Sequence, residues 1–323
     1  MIVNYPRMRR RAAWPSDLDT ALKFTSPEVF SISASKLWDG EIEYTNGSDW
    51  KTWDGSEITS GENGSDHCIY LRGIGNSKII GGNYRDAKWS IIGTNIACNG
   101  DIDLLLDYSS VKSGNRPVMA DYCYSNMFRD CTSLTTAPSL PATTLANGCY
   151  SSMFRDCTSL TTAPSLPATT LADSCYSDMF DGCTSLTAAP SLPATTLAGW
   201  CYVSMFSWCT SLTTAPSLPA TTLANGCYSD MFDGCTSLTT VPSLPATTLA
   251  ESCYSSMFYG CEKIKVSSVS SGTYTKAYRI PKSGTGTTAS NALNGMFDNT
   301  GGRFTRTPKI NTTYYLDESN TIV

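Results

Sequence analysis

Twelve of the fourteen cysteines in this chain follow one spacing. Cysteines eight positions apart form pairs, and the pairs recur every 26 residues, which produces two columns. The first column is Cys123, Cys149, Cys175, Cys201, Cys227 and Cys253, and the second is Cys131, Cys157, Cys183, Cys209, Cys235 and Cys261.

Thiolates can bind a metal or form disulfides, but this spacing favours neither. Zinc sites favour cysteines about two to four residues apart. Cysteines on adjacent stacked repeats would keep parallel Cβ atoms ~4.8 Å apart, whereas a disulfide prefers ~3.8 Å. We therefore predict free, buried thiols, no metal site and no cofactor. Cys68 and Cys98 stand outside the columns, and the sequence leaves open whether they form a disulfide.

Residues for catalysis are scarce. The only histidine, His67, is flanked by Asp66 and Cys68, which are too close in sequence to converge on it as catalytic partners. A glycan hydrolase would need a pair of carboxylates in a cleft, and the acidic residues of the repeats are typical of solvated segment ends: Asp178, Asp181, Asp230 and Asp233. Asp101, Asp103 and Asp107 lack the glycine and distal glutamate of a calcium loop, which favours a solvated domain junction. We predict no catalytic residues and no enzyme.

The element that positions the cysteines is a repeat unit reading CYssMFxxCTSLTTAPSLPATTLAxx. Leu145, Cys149 and Met153 lie at i, i+4 and i+8, which predicts a short helix over ATTLANGCYSSMF. The following CTSLTTAPSLP predicts a brief strand because Pro138 and Pro141 limit it. The fold class predicted is an α/β repeat, a leucine-rich-repeat-like solenoid whose strands form a continuous parallel sheet.

Four segments follow from this organisation. Residues 1–19 form an N-terminal anchoring arm, and residues 20–117 form a small β-sandwich-like domain of short strands such as LKFTS, FSISA, EIEY and CIYLRGIG. Residues 118–266 hold the six repeats. Residues 267–323 form a degenerate C-terminal cap, in which NALNGMFDNTGG resembles a worn copy of the helix.

The charge balance limits the partners. A net charge of -5 and a pI near 5.0 provide no basic field for nucleic acid, and no stretch is apolar enough for membrane insertion. One basic cluster lies in the arm, where we expect Arg7, Arg9, Arg10 and Arg11, with Trp14, to anchor the chain on an acidic protein surface in an oligomeric assembly.

The segment MFRDCTSL at residues 127–134 and its five successors resemble the BspA-like leucine-rich repeats of bacterial surface proteins. The resemblance covers about half the chain and implies a solenoid that binds macromolecules at cell surfaces without catalysis. The segment EIEYTNGSDWKTWDG, followed by IYLRG, resembles a β-rich module of gut-bacterial surface proteins and their tailed phages.

Positions that differ between repeats indicate where a ligand could bind, because packed positions stay uniform. One repeat has Trp200 and Trp208 where most others have Gly, Ser or Asp, and Tyr259 lies one position from the equivalent of Trp208 two repeats on. Exposed aromatic side chains are typical anchors for a protein or glycan. Packing against the preceding domain or a neighbouring chain is the alternative.

Two functions remain. The first is a tailed-phage virion protein (a fibre, decoration or host-attachment protein) at the virion surface, which contacts other virion proteins or a host-surface protein or glycan. The second is a bacterial cell-surface adhesin of the same repeat family. An adhesin needs an export signal, and MIVNYPRMRRRAAW has none, which favours the phage protein.

Overall fold

The computed structural model describes residues 13–79 and 89–323. Arg7, Arg9, Arg10 and Arg11 of the predicted anchor lie outside these residues. Across the described part of the chain, no helix has the length and apolar character needed to cross a membrane.

The amino-terminal region is built of short strands around one buried core. It contains a 3-10 helix, Leu18–Thr20, and nine strands: β1 (Leu22–Ser26), β2 (Ser31–Ser33), β3 (Glu41–Thr45), β4 (Lys51–Thr52), β5 (Ile58–Thr59), β6 (Gly61–Asn63), β7 (Asp66–Ile74), β8 (Ser90–Ile92) and β9 (Ile96–Asn99). Helix α1 (Leu104–Lys112) follows. Alternate residues of β1 are buried, as expected of a strand with one face on the core.

These strands form two sheets. The larger has the order β10-β9-β1-β7-β3-β4, with β6 also paired to β7, and the smaller has the order β5-β2-β8. Strand β10 (Leu134–Thr136) belongs to the first repeat and pairs with β9 in parallel. The larger sheet therefore crosses from the amino-terminal region into the repeats, and one hydrophobic core runs through both.

The predicted α/β leucine-rich-repeat-like solenoid is wrong, because no repeat contains a helix. The one α-helix of the described residues is α1, which lies before the repeats. The predicted continuous parallel sheet is also absent. In their strand-like segments most repeats pair through isolated parallel bridges, such as Thr136 to Thr162 and Thr196 to Thr222, and the strands of the molecule form several small sheets. Prolines in each repeat remove the N–H groups that a longer strand would need.

The segment predicted as a helix is a series of four-residue turns. Every fourth residue has a positive φ, as at Gly148 (59°), Ser152 (53°) and Asp156 (59°). These left-handed residues interrupt the helical path. A turn period of four is close to the 3.6-residue helical period, so the apolar stripe of Leu145, Cys149 and Met153 fits both structures.

Hydrogen bonding explains why turns replace the helix. The N–H groups alternate: that of Ser151 donates to the Gly148 carbonyl within the repeat, and those of Tyr150 and Ser152 donate to the Cys175 and Ser177 carbonyls of the next repeat. In an α-helix all of these groups would bond internally. The turns thus release every second N–H to bind the following repeat.

The repeats stack with like residues on like residues. Tyrosine rings from Tyr124 to Tyr254 and phenylalanine rings from Phe128 to Phe297 form two columns with ring centroids 5.6–5.8 Å apart. Helices are about 10 Å wide and could not stack at this spacing. We call the turns and bridges of residues 118–266 the repeat stack.

The carboxyl-terminal residues cover the far end of the repeat stack. Asn291, Gly295 and Asn299 repeat the left-handed residues at the same spacing of four, and Phe297 continues the phenylalanine column. Strands pair around this end: β11 (Thr240–Val241) with β17 (Thr321–Ile322), β12 (Thr248–Leu249) with β15 (Thr287–Thr288), and β16 (Thr313–Asp317) with both β13 (Val266–Ser267) and β14 (Tyr274–Arg279).

Candidate functional site

Trp200 and Trp208 occupy left-handed backbone positions of the fourth repeat, with φ of 55° and 57°. Left-handed backbone disfavours a large side chain, by roughly 1–2 kcal/mol per residue. Other repeats place Gly148, Ser174 or Gly226 at the position of Trp200. Both indoles are exposed, Trp200 by 47% and Trp208 by 56%. Burial of these side chains therefore does not explain their presence.

Each indole lies flat on a glycine of the next repeat. A Cβ built on Gly226 would lie 2.1 Å from Cε3 of Trp200 and 2.3 Å from Cζ3, and one on Gly234 would lie 2.9 Å from both Cδ2 and Cε3 of Trp208. Such even distances to adjacent ring atoms place each glycine under a ring face. Both side chains nevertheless remain exposed.

Val203 lies between the two tryptophans and replaces the serine that the other repeats have at this position. It is half-buried. A comparison of every outward-facing position across the six repeats, and not only of the aromatic residues, would have identified Val203 from the sequence. We call Trp200, Val203 and Trp208 the tryptophan surface.

Tyr259 is 40% exposed but lies apart from the two tryptophans. The N–H of Gly234, under Trp208, donates to the Tyr259 carbonyl over 2.8 Å, which places Tyr259 one repeat beyond that glycine. Among the described residues, no ring contact joins Tyr259 to either indole. Tyr122 was missed: it has the backbone position of Trp200 in the first repeat, φ of 62°, 58% exposure and Gly148 beneath it.

The surroundings of the tryptophan surface are acidic. The backbone N–H of Trp208 donates to the backbone carbonyl of Asp233 over 2.7 Å. Asp230 and Glu251 lie on the following repeats. Burial, and then the neighbouring charge of Asp230, raises the pKa of Asp233. No salt bridge joins these three carboxylates to a described residue.

The acidic residues of the third repeat are held by a cation. Arg155 contacts Asp178 over 3.6 Å and Asp181 over 3.0 Å. Burial raises the pKa of Asp181 to about 6. The arginine between these carboxylates gives them a structural role.

His67 lies on β7 opposite Ser26 of β1. The Ser26 hydroxyl donates to the Thr94 carbonyl over 2.8 Å, and among the described residues the His67 Nδ1 atom has no hydrogen-bond partner. The two side chains therefore do not form a nucleophile and base.

All fourteen cysteines lie in the described residues, are buried and form no disulfide. In the second column the thiol of Cys131 donates to the Trp89 carbonyl, and each later thiol donates to a carbonyl of the preceding repeat, as from Cys157 to Phe128 over 3.0 Å and from Cys183 to Phe154 over 3.1 Å. Burial raises the pKa of both thiols above the usual range. These cysteines are hydrogen-bond donors of the core and are protected from reaction.

Cys68 and Cys98, for which the sequence leaves a disulfide open, lie too far apart to form one. They lie on β7 and β9, on either side of β1, where they pair with Thr25 and Phe24 respectively. Neighbouring strands are about 4.8 Å apart and successive residues face opposite sides of a sheet. The two thiols therefore point to opposite faces, about two strand spacings apart, which excludes a disulfide.

The predicted solvated junction around Asp101, Asp103 and Asp107 is wrong for Asp103, which is 2% exposed. Arg116 forms salt bridges with Asp101 and, over 3.4 Å, with Asp103. Burial and the charge of Asp101 raise the pKa of Asp103 to about 6. Asp103 and Arg116 also line a cavity of about 500 Å³ beside the first repeat.

Trp14, predicted to anchor an assembly, contacts this chain's own sheet. Its ring meets Tyr70 edge-on at 5.4 Å, and its Nε1 donates to the Glu62 carbonyl over 3.2 Å. Nearby, Arg72 bridges Asp17 and Glu43 over 2.6 and 2.7 Å. Residues 13–20 are thereby fixed to the outer face of the sheet. The last residues of the predicted arm, residues 13–19, are therefore part of the amino-terminal region.

The chain matches no protein-family model, no curated protein and no solved structure.

Proposed function

We propose that this chain is a non-catalytic protein of a tailed-phage virion (a fibre, decoration or host-attachment protein) and that the tryptophan surface is its contact site for another macromolecule. The placement of Trp200 and Trp208 carries this proposal. Two large aromatic side chains occupy strained positions without being buried, and backbone strain of this kind concentrates at functional sites. Exposed tryptophans are also the commonest anchors of protein contacts.

The cysteines support a virion protein over the alternative, a BspA-like adhesin on the bacterial surface. Virion proteins fold in the reducing cytoplasm of the host, whereas exported proteins meet oxidising conditions. Buried cysteines without disulfides, with a column of them donating hydrogen bonds in the core, suit folding under reducing conditions. Membership of the BspA-like family rests on MFRDCTSL and its successors and stays a prediction.

The test compares wild-type protein with the double variant Trp200→Ser, Trp208→Gly. Tyr122→Gly is the matched control, because Tyr122 has the same backbone position and a glycine beneath it but no second exposed aromatic in its repeat, where Asp130 stands at the position of Trp208. Each protein is supplied to the phage that encodes it, and its incorporation into purified virions and its binding to host cells are measured.

We expect wild type and Tyr122→Gly to behave alike, and the double variant to lose incorporation, cell binding or both at least tenfold while remaining folded. Absence of the wild-type chain from purified virions would refute the virion assignment. Equal behaviour of the double variant in both assays would refute the contact site.

A further inference from the structure

The repeats around the tryptophan surface have charge of one sign only. From residue 156 to residue 262 there is no lysine, arginine or histidine, and the acidic residues there are Asp156, Asp173, Asp178, Asp181, Asp230, Asp233, Glu251 and Glu262. Arg155 compensates those nearest to it, Asp156, Asp178 and Asp181. The carboxylates near the two indoles lack a described cation partner, so this face repels anions and attracts cations.

The two indoles favour one kind of cation. The face of an indole carries negative partial charge, and arginine binds it better than other side chains because its planar guanidinium also stacks. The same pairing occurs within this chain, where the Arg72 guanidinium lies 3.9 Å from the ring centroid of Trp50 and bridges two carboxylates. Trp200, Trp208 and Glu251 are exposed, and Asp230 and Asp233 of the repeat that follows the two tryptophans are half-buried.

The chain itself carries a segment with matching charge. Arg7, Arg9, Arg10 and Arg11 precede Trp14, which is fixed to the outer face of the sheet. The twelve residues before Ala13 span up to ~40 Å when extended. We propose that the arginine arm of one copy, residues 7–11, binds the tryptophan surface of a second copy, with guanidinium groups stacked on the indoles and paired with the carboxylates.

This contact joins different surfaces of the two copies. Each copy then has one arm and one tryptophan surface to offer, so copies add head to tail, and the assembly either closes into a ring or grows as an open chain. The inference uses the contact site of the proposed function and names its partner. It is separable from that function, because self-association is measured without phage or host.

The experiment is sedimentation of the full chain over a range of concentrations, at low salt and at 0.5 M salt. The arm variant is Arg9→Gln, Arg10→Gln, Arg11→Gln, and the surface variant is Trp200→Ser, Trp208→Gly. We expect wild type and Tyr122→Gly to self-associate, with an affinity at least tenfold weaker at high salt. Each variant alone should stay monomeric.

Mixing the two variants provides the decisive measurement. The arm variant retains an intact surface and the surface variant retains an intact arm, so an equimolar mixture should form one-to-one pairs that grow no further. A monomeric wild type at high concentration and low salt, association of either variant alone, or failure of the mixture to pair would each overturn the proposal. Host-cell binding lost by the surface variant without any self-association of wild type would leave the proposed function intact and reject this partner.

Discussion

The amino-terminal sheets and the repeat stack share one core but are held together in different ways. In the sheets, unlike residues meet: Arg72 lies between Trp50 and Tyr108 and bridges Asp17 to Glu43. In the repeat stack, each residue meets its own equivalent 26 positions away. Contacts between particular unlike residues therefore stabilise the sheets. The repeat stack is stabilised by columns of identical buried residues, so its outward-facing positions can vary.

The largest expected effect is in a column of the repeat stack. Phe180 is fully buried between Phe154 and Phe206, with ring centroids 5.7 Å away on each side. Phe180→Ala should lower the free energy of unfolding by about 3–5 kcal/mol, because it leaves a cavity and removes two ring contacts. Urea unfolding followed by circular dichroism measures the loss. A decrease of less than about 1 kcal/mol in the free energy of unfolding would contradict the conclusion that an unbroken phenylalanine column stabilises the repeat stack.

The corresponding change in the sheets is Arg72→Met, which keeps the volume and removes the charge. We expect a loss of about 2–3 kcal/mol in the free energy of unfolding, less than for a fully buried ion pair because the Asp17 side chain is 39% exposed. The same urea experiment measures it. Lys23→Met, on the neighbouring strand, is the control and should change stability little. Equal effects of the two substitutions would show that the Arg72 contacts contribute nothing specific.

At the boundary between the two regions, Asp103 should make stability depend on pH. Its pKa is raised to about 6 by burial, so the folded protein binds more protons than the unfolded chain between pH 4 and 6. The free energy of unfolding should then rise as pH falls from 7 to 4.5, and Asp103→Asn should remove on the order of 1–3 kcal/mol of that rise. Unfolding at several pH values measures the slope. An unchanged slope in the variant would assign the dependence to other groups, such as Asp181.

The smallest effect is expected at the outward positions. Trp200→Gly relieves the strain of a left-handed tryptophan but loses its contact with Gly226, so the free energy of unfolding should change by less than about 1 kcal/mol. Thermal unfolding of Trp200→Gly and of Phe180→Ala under the same conditions compares the two effects. A loss as large as that of Phe180→Ala would show that Trp200 is a structural residue of the stack.

Much of the amino-terminal region was predictable because strand alternation is a local signal. The segment LKFTS corresponds to β1, and EIEY and CIYLRGIG correspond to parts of β3 and β7. The parallel pairing of β10 with β9 was not predictable, because it joins residues about 38 positions apart and no local pattern marks it.

The repeat stack was misread for a physical reason. Turns of four residues produce nearly the same apolar period as a helix, so Leu145, Cys149 and Met153 could not distinguish the two. The polar residues could have done so: Gly, Ser, Asp or Asn recurs at every fourth position, and these are the residues that tolerate a left-handed backbone. The exposure of Trp200 and Trp208 was predictable because their positions differ between repeats. The contacts of these indoles with the glycines beneath them were not predictable, because they depend on the register between adjacent repeats.

Within the turns, the backbone hydrogen bonds between repeats run in one sense, from the N–H of one repeat to the carbonyl of the next, whereas the threonine segments also donate to the preceding repeat. The turns of the repeat stack thus have a donor end and an acceptor end. Duplication or loss of a whole 26-residue unit would preserve every bond in the interior and leave both ends unchanged, whereas loss of part of a unit would break all columns at once. Changes in length by whole units would therefore preserve the columns, and each unit gained or lost would move the amino-terminal sheets and the far end of the repeat stack apart or together by one repeat.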